Sequence, residues 1–291
     1  MNSIKMIIKD NSLSPDVLKI IRRGATEKPH TGIYNDFCQL GTYLCRGCGA
    51  ALFHANSKFN ASCGWPSFDE SLTHAVTEQA DRDGVRTEIV CTRCAAHLGH
   101  VFTGEEFTLT NKRYCVNSKS LDFIEHTGII DTEEAIVAGG CFWGIEYYLE
   151  KLTGVLRTEV GYTGGEKPRP SYYDVCTGNT GHFEAVRIIY SPSRLDYESL
   201  LKYFFEIHDP SQADGQGPDR GSQYQSAVFY YNDIQKQVAE KLIKTLQQTM
   251  SITTKLLPVT PFWEAETEHQ HYYTRTQHQP YCHAYTKRFK D

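Results

Sequence analysis

In the stretch Gly139-Gly140-Cys141-Phe142-Trp143-Gly144, one cysteine stands behind two glycines and ahead of two aromatics. The apolar residues 135–138 before it read as a strand, and residues 145–152 after it read as a helix. Cys141 then sits at a helix N-terminus, where unpaired backbone N–H groups and the helix dipole favour an anion, lower the thiol pKa and make a nucleophile. Phe142 and Trp143 could wall a pocket for a small apolar group beside that sulfur. A buried, inert cysteine in a strand-to-helix turn is the plainer alternative, and the aromatic neighbours weigh against it.

Cys45-Arg46-Gly47-Cys48 and Cys91-Thr92-Arg93-Cys94 are two C-x-x-C pairs separated by the 42 residues from Gly49 to Val90. Each pair can present two thiolates from a tight knuckle, and two knuckles complete the tetrahedral four-sulfur shell that zinc prefers. Such a closed shell leaves no position for substrate, so the expected zinc is structural. A redox-active C-x-x-C of the thioredoxin kind is usually single and lies at a strand-to-helix junction, which suits two paired knuckles less well.

Cys38, Cys63 and Cys115 remain in the same half of the chain. If Arg113-Tyr114-Cys115-Val116-Asn117-Ser118 is a strand, the spacing of two puts Arg113, Cys115 and Asn117 on one face. That is a polar row with a cation able to lower the thiol pKa, the alternative being a merely solvated face. Cys63 lies in Ser62-Cys63-Gly64-Trp65-Pro66-Ser67-Phe68. His97 and His100, in His97-Leu98-Gly99-His100-Val101-Phe102, closely follow Cys94. Either could be a spare metal ligand or a spectator. A substrate-site role is expected, because four thiolates already fill the metal.

Positioning these groups takes two folded units. The 291 residues are comfortable for two domains of roughly 100–200 residues each. With 40% hydrophobic and 22% charged residues, each half can bury a core without disulfides. Seven of the ten cysteines lie between Cys38 and Cys115, and the composition shifts near His126-Thr127-Gly128. The expected domains are therefore 1–128 and 129–291. The first opens with a helix over residues 16–23, started by Ser14-Pro15 and stopped by Gly24, and continues as strands. Among these, residues 73–80 and 85–91 flank the turn Asp81-Arg82-Asp83-Gly84. It is expected to be mainly β.

The second half alternates strands over 155–162, 185–190 and 225–231 with a helix over 196–208, and is expected to be a two-layer α/β domain. Ile234, Val238, Leu242, Leu246 and Met250 recur every four residues and read as the core stripe of a further helix. Cys38 and Cys176 are expected to be small buried side chains.

The net charge of −5 and the lack of a concentrated Lys/Arg stripe argue against nucleic acid. No apolar run approaches the ~18 residues of a membrane span. Residues 1–10 lack the apolar core and cleavage site of a signal peptide, so a cytoplasmic location is expected. In that reducing compartment, ten cysteines point to metal binding or catalysis. No nucleotide-binding fingerprint is present, and no nucleotide cofactor is expected.

Residues 13–125 resemble methionine sulfoxide reductase B, through Gly24-Ala25-Thr26-Glu27, both C-x-x-C pairs, Cys63-Gly64-Trp65-Pro66-Ser67-Phe68, the two-histidine motif and Arg113-Tyr114-Cys115-Val116-Asn117-Ser118. Residues 133–291 resemble methionine sulfoxide reductase A. The motifs there are Gly140-Cys141-Phe142-Trp143-Gly144, Gly181-His182-Phe183-Glu184-Ala185-Val186 and Gly217-Pro218-Asp219-Arg220-Gly221-Ser222-Gln223-Tyr224. The first resemblance implies Cys115 as nucleophile, Cys63 as its resolving partner, and a pocket of Trp65, His97, His100, Arg113 and Asn117. Two positions depart from the family's pattern. Ser62 stands where glycine is usual, and Gly104 stands where an aspartate is common.

The second resemblance implies Cys141 as nucleophile, Phe142 and Trp143 as walls for the substrate methyl, and Glu184 as acid. Tyr172 and Tyr224 would donate to the sulfoxide oxygen, Asp219 would support the site, and Cys282 would resolve. The chemistry suits these residues. A thiolate attacking a sulfoxide sulfur needs the departing oxygen protonated, which a carboxyl does at neutral pH only if burial raises its pKa, whereas imidazole from His97 or His100 would serve the other half. The resulting sulfenic acid condenses with a second thiol, and the disulfide is reopened by an external dithiol, expected to be thioredoxin. Because each sulfoxide epimer needs its own enzyme, the chain is expected to reduce both. The alternatives are a single-site reductase whose first half is a zinc-stapled binding module, and a thiol redox sensor.

Overall fold

Ser14 and Gly24 bracket the first helix as their types dictate. Ser14 Oγ accepts from Val17 N at 3.4 Å ahead of α1 (Pro15–Arg23), and Gly24 ends it at φ +69° with its N–H on the Ile20 carbonyl. The computed structural model describes residues 13–290, so the reading of residues 1–10 lies outside the described residues. Two compact units are present, Met1–Thr132 and Glu133–Asp291.

The first unit is β-rich. Strands β1 (Thr42–Cys45) and β2 (Ala51–His54) pair with β9 (Leu121–Ile124) in a three-stranded antiparallel sheet of order β2-β1-β9. The other strands are β3 (Lys58–Phe59), β4 (Ser67–Phe68), β5 (Val76–Ala80), β6 (Thr87–Cys91), β7 (His97–Thr103) and β8 (Lys112–Val116). They form a second antiparallel sheet of order β3-β4-β8-β7-β6-β5. Tyr43, Leu52, Phe53, Phe68, Ile89, Leu98 and Val116 are buried together in the unit's core, with Phe53 stacked on Phe68 at 4.4 Å. The hairpin between β5 and β6 turns over residues 81–86, wider than expected, because Asp83 Oδ1 accepts from both Val85 N and Arg86 N at 2.9 Å.

The second unit mixes helix and strand. Its sheet runs β16-β15-β10-β12-β11-β17, made of β10 (Glu133–Gly139), β11 (Val155–Thr163), β12 (Phe183–Tyr190), β15 (Ser226–Tyr230), β16 (Lys255–Pro258) and β17 (Trp263–Glu264). All its pairings are antiparallel except β15 with β16. Two short strands, β13 (Gly215–Gln216) and β14 (Asp219–Arg220), pair apart from it. Helices α2 (Phe142–Leu149), α3 (Tyr172–Cys176), α4 (Tyr197–Glu206), α5 (Asp233–Leu246) and α6 (Tyr272–Thr276) complete the unit. One cluster joins Val137, Ile145, Leu149, Val160, Val186, Ile188, Val228, Leu201 and Phe204 as its core.

The expected stripe on α5 needs correction at both ends. Leu242 and Leu246 are buried and Val238 packs against the core, but Ile234 is 74% exposed, and Met250, which also packs against the core, lies beyond the helix. A step of four residues outruns the helical repeat of 3.6 by about 40°, so four steps rotate the side chain to nearly the opposite face. The core is instead met by Gln235, Ala239, Leu242 and Leu246, which follow the true period.

Candidate active sites

The four cysteines of the two knuckles meet in the first unit. Cys45 ends β1 and Cys91 ends β6, and each donates its N–H across its own hairpin, to Ala50 O at 2.7 Å and to Ala96 O at 2.9 Å. Cys48 and Cys94 follow in the turns, and all four sulfurs lie buried within 4.8 Å of one another. The Cys45–Cys94 and Cys48–Cys91 sulfurs are 3.7 Å apart. A tetrahedron with Zn–S bonds of ~2.3 Å has an edge of about 3.8 Å, so the donor set and its spacing fit zinc. The cluster ties β1 of one sheet to β6 of the other.

Strand register builds the first reactive site. Cys115 on β8 pairs with Ser67 on β4 and with His100 on β7, and His100 pairs with Glu88 on β6. Directly paired residues share a face, so these side chains form one row across the sheet. His97 would fall on the opposite face by simple alternation, but the register shifts between Ile89 and Val90, which pair with Gly99 and His97. This bulge re-aims His97, leaving its ring 5.6 Å from that of His100. Cys63 Sγ lies 3.9 Å from Cys115 Sγ and 3.4 Å from Ser67 Oγ.

The two sulfurs hold one thiolate between them. Cys63 is pulled down to about 5, chiefly by the hydrogen bond from Cys115, with help from Ser67 and the Arg113 charge. Cys115 is pushed up by the same contact and by burial, and the lowering by Arg113 does not overcome them. The expected activation of Cys115 alone is therefore corrected to a shared proton, because two sulfurs in contact titrate as a pair.

Both histidines are engaged by carboxylates. His97 Nδ1 lies 2.5 Å from Glu88 Oε1, and His100 Nε2 lies 2.5 Å from Asp81 Oδ2. Burial lowers the His97 pKa, and its Nε2 is buried without a protein partner. Asn117 lies just past β8, so the polar row on the strand is Arg113 and Cys115 only. The Asn117 amide serves backbone, accepting from Glu27 N at 3.0 Å and donating to Leu98 O at 3.1 Å. The Trp65 indole donates to Glu27 O at 3.1 Å, so Glu27 ties both residues to the site.

Both departures have a physical answer. Ser62 adopts φ +53°, the left-handed region where glycine costs least. Where Gly104 lacks a carboxylate, the next residue supplies one: Glu105 accepts from Arg113 Nε at 2.7 Å and Nη2 at 2.9 Å, while the guanidinium lies 4.4 Å over the Phe102 ring. Glu105, Glu88 and Asp81 carried no sequence signal, since nothing in their local context links them to Arg113 or the histidines.

In the second unit, β10 leads through Gly140, at φ +104°, to Cys141, which immediately precedes α2 and is 6% exposed. A side chain at Gly140 would collide with Gln216. The expected lowering of the Cys141 pKa is corrected: a hydrogen bond with Cys282, burial and the Glu184 charge push it well up, outweighing the Trp143 N–H. Cys282 is instead pulled down to about 6, first by Cys141 and then by His283. Glu184, on β12, accepts from Phe142 N at 3.1 Å, and burial pushes its carboxyl up to about 8.

The aromatic wall is assembled from distant segments. Trp143 stacks on Tyr272 at 3.9 Å and 11°, and His269 lies 5.6 Å from Trp143, 5.5 Å from Phe142 and 4.5 Å from Tyr172. Glu266 holds Tyr172 N and the Tyr162 hydroxyl, each at 2.9 Å. Buried Glu146 on α2 accepts from His271 N at 2.7 Å, fixing α6 and with it Tyr272. Trp143 Nε1 and His269 Nδ1 are buried without protein partners. Burial and the Glu184 charge hold the Tyr224 hydroxyl protonated, and burial, Cys176 and Glu184 do the same for Tyr172. Asp219 accepts from the Tyr281 hydroxyl at 3.0 Å. Cys38 and Cys176 are both exposed, not buried as expected, and Cys176 contacts the Tyr172 hydroxyl from one helical turn away.

Residues 133–291 match the family model for peptide methionine sulfoxide reductase, and residues 13–125 match that for the SelR domain. The peptide methionine sulfoxide reductase MsrA of Thermus thermophilus is 49% identical over 152 residues, covering 52% of this chain and 86% of the relative. That of Nocardia farcinica is 45% identical over 157 residues, covering 53% and 90%. The crystal structure of reduced Mxr1 from Saccharomyces cerevisiae superposes with a TM-score of 0.51 at 31% identity, covering 53% of this chain and 92% of that one. With both segments matched in tandem and a thiol pair in each unit, the chain belongs to the peptide methionine sulfoxide reductases, as a fusion of a SelR (B-type) domain and an A-type domain that together reduce both epimers of methionine sulfoxide.

Proposed function

We propose that each unit runs a complete thiol cycle on its own epimer, residues 1–128 forming the B-type domain for the R epimer and 129–291 a two-layer α/β A-type domain for the S epimer. The observation that carries this is a separate pair of contacting cysteine sulfurs in each unit, each beside its own proton donors.

In the A-type site, Cys141 is the nucleophile. Its proton moves along the hydrogen bond to Cys282 as the thiolate attacks the sulfoxide sulfur. Glu184, protonated below about pH 8, gives its proton to the sulfoxide oxygen, whose developing charge Tyr172 and Tyr224 share. Phe142 and Trp143 hold the methyl group, and Asp219 orders the tail through Tyr281. The unpartnered Trp143 Nε1 and His269 Nδ1 serve the substrate's polar atoms. Oxygen passes to Cys141 as sulfenic acid and methionine leaves. Cys282 then forms the disulfide, releasing water.

In the B-type site, Cys115 attacks, His97 and His100 supply the proton, and Cys63 resolves. Arg113, oriented by Glu105, favours the thiolate on either sulfur, and Trp65 and Asn117 shape the pocket. Thioredoxin reopens both disulfides by dithiol exchange, which proceeds through a mixed disulfide. The thiols, none of them in a disulfide, suit a cytoplasmic location. Among the described residues, no helix is long and apolar enough to cross a membrane.

The test is disulfide mapping by mass spectrometry after one turnover without reductant. The S epimer should yield Cys141–Cys282 alone and the R epimer Cys63–Cys115 alone, and either epimer producing both pairs would refute independent cycles.

Zinc would be held by Cys45, Cys48, Cys91 and Cys94 as a closed structural staple. Metal analysis should find one zinc per chain. Stripping it with a strong chelator should lower the melting temperature of the first unit and abolish R-epimer reduction, with S-epimer reduction retained. Full R-epimer activity in metal-free protein would remove the staple from the account.

A further inference from the structure

His283 follows Cys282 in sequence and is 5% exposed. Its Nε2 lies 2.8 Å from the Gly139 carbonyl, an acceptor only, so that nitrogen carries a proton. In the neutral ring, Nδ1 is then the acceptor, and it lies 3.2 Å from Cys282 Sγ. The ring is held in a slot that exists because α2 carries glycine at position 144, where any Cβ would run into His283 Nδ1. The backbone is held too, with Gln216 Nε2 on Cys282 O at 3.3 Å and the Tyr148 hydroxyl on His283 O at 3.4 Å.

We propose that His283 is the catalytic base of the resolving step, fixed in one tautomer by Gly139 so that Nδ1 takes the thiol proton of Cys282 before it attacks Cys141. This rests on the reading of Cys282 as the resolving cysteine.

The groups facing Cys282 are Cys141 ahead of α2, Glu184 on β12, Asp219 on β14, Tyr273 on α6, and Tyr281 and His283 on its own segment. Asp219 works against the thiolate, and burial disfavours it as well. His283 is the group here that can both accept the thiol proton and leave a compensating positive charge beside the sulfur. His208 lies near His283, but burial drives its pKa down to about 3 and keeps it neutral.

The step balances. The Cys282 thiolate attacks the sulfenic sulfur of Cys141, the S–S bond forms and the S–O bond breaks. Hydroxide leaves and takes the proton held at Nδ1, giving water and restoring the neutral imidazole. The oxidising equivalent is the one delivered by the sulfoxide, and no further reagent enters.

The test uses the full chain with excess S epimer and no reductant, quenched over time from pH 6 to 9. It follows the methionine burst, dimedone-trapped Cys141 sulfenic acid, and the Cys141–Cys282 disulfide. His283→Gln retains an N–H able to reach Gly139 but no base. Disulfide formation at pH 7 should slow by roughly 10- to 100-fold more than the methionine burst does, so that sulfenic acid accumulates, and it should recover as pH rises toward the ordinary thiol pKa. Wild-type rates in His283→Gln, or a slowing of equal size at every pH, would overturn the proposal. If His283→Gln fails to fold, iodoacetamide labelling of Cys282 in Cys141→Ser, where the thiol contact with Cys141 is removed and His283 remains, decides instead. Half-maximal labelling well below the ordinary thiol value of about 8.5 supports the proposal, and labelling at that value overturns it. A Cys282→Ser variant that still forms an intramolecular disulfide at Cys141 would instead overturn the resolving role of Cys282.

Discussion

Cys141→Ser should abolish turnover of the S epimer and leave that of the R epimer at the wild-type rate, and Cys115→Ser should do the reverse. A serine hydroxyl fills almost the same space as the thiol but has neither its acidity nor its soft sulfur, so each substitution removes chemistry with little change in packing. The expected loss is about four orders of magnitude or more, as for a nucleophile without substitute. The second cysteine of each pair does not rescue the first. The Cys282 sulfur is engaged by His283 and Asp219, and the Cys63 sulfur by Ser67 and the Trp65 carbonyl. Purified epimers assayed separately read the outcome. Loss of both activities from one substitution would mean a single site handles both hands.

Glu184→Gln should reduce S-epimer turnover by about 10²- to 10⁴-fold, the usual worth of a positioned acid. Glutamine keeps the shape and can still meet Phe142 N, but it has no proton to give. The wild-type rate should be flat between about pH 6, below which the Cys141–Cys282 pair loses its thiolate, and about pH 8, and should fall tenfold per unit above that because the acid form is depleted, and the variant should lack that upper fall. Stability gives a second readout. The folded-state pKa lies above the ordinary carboxyl value, so the folded protein binds this proton more tightly than the unfolded chain. This contribution is fully present below about pH 4.5 and is lost as pH rises toward 8. The melting temperature of wild type relative to Glu184→Gln should therefore decline across that window. A variant with full activity and the same pH limb would exclude Glu184 as the acid.

Local chemistry was legible in the sequence where neighbours in the chain are also neighbours in space. The cap and stop of α1 were readable from Ser14-Pro15 and Gly24, since capping is settled within a few residues. The four-sulfur cluster was readable because each knuckle is local and a metal-sized shell requires two of them. The strand-to-helix turn around Cys141 was readable for the same reason, as were the tandem motifs that separate the two halves.

The protonation states and the walls of the sites were not. Proximity to a helix N-terminus suggested an acidic Cys141, yet Cys282 and Glu184, both far away in sequence, place the charge elsewhere. Strict alternation would separate His97 from His100, and only the register shift in β7 brings their rings together. The missing aspartate at position 104 read as a lost carboxylate, while the fold of the loop turns Glu105 onto Arg113. The stacking of Tyr272 on Trp143 depends on buried Glu146 gripping the segment that begins α6. By itself the sequence determined which atoms could react, because residue type sets nucleophile, acid and metal donor. Tertiary structure decided which of them touch, and contact inside a water-poor interior decides where each proton rests.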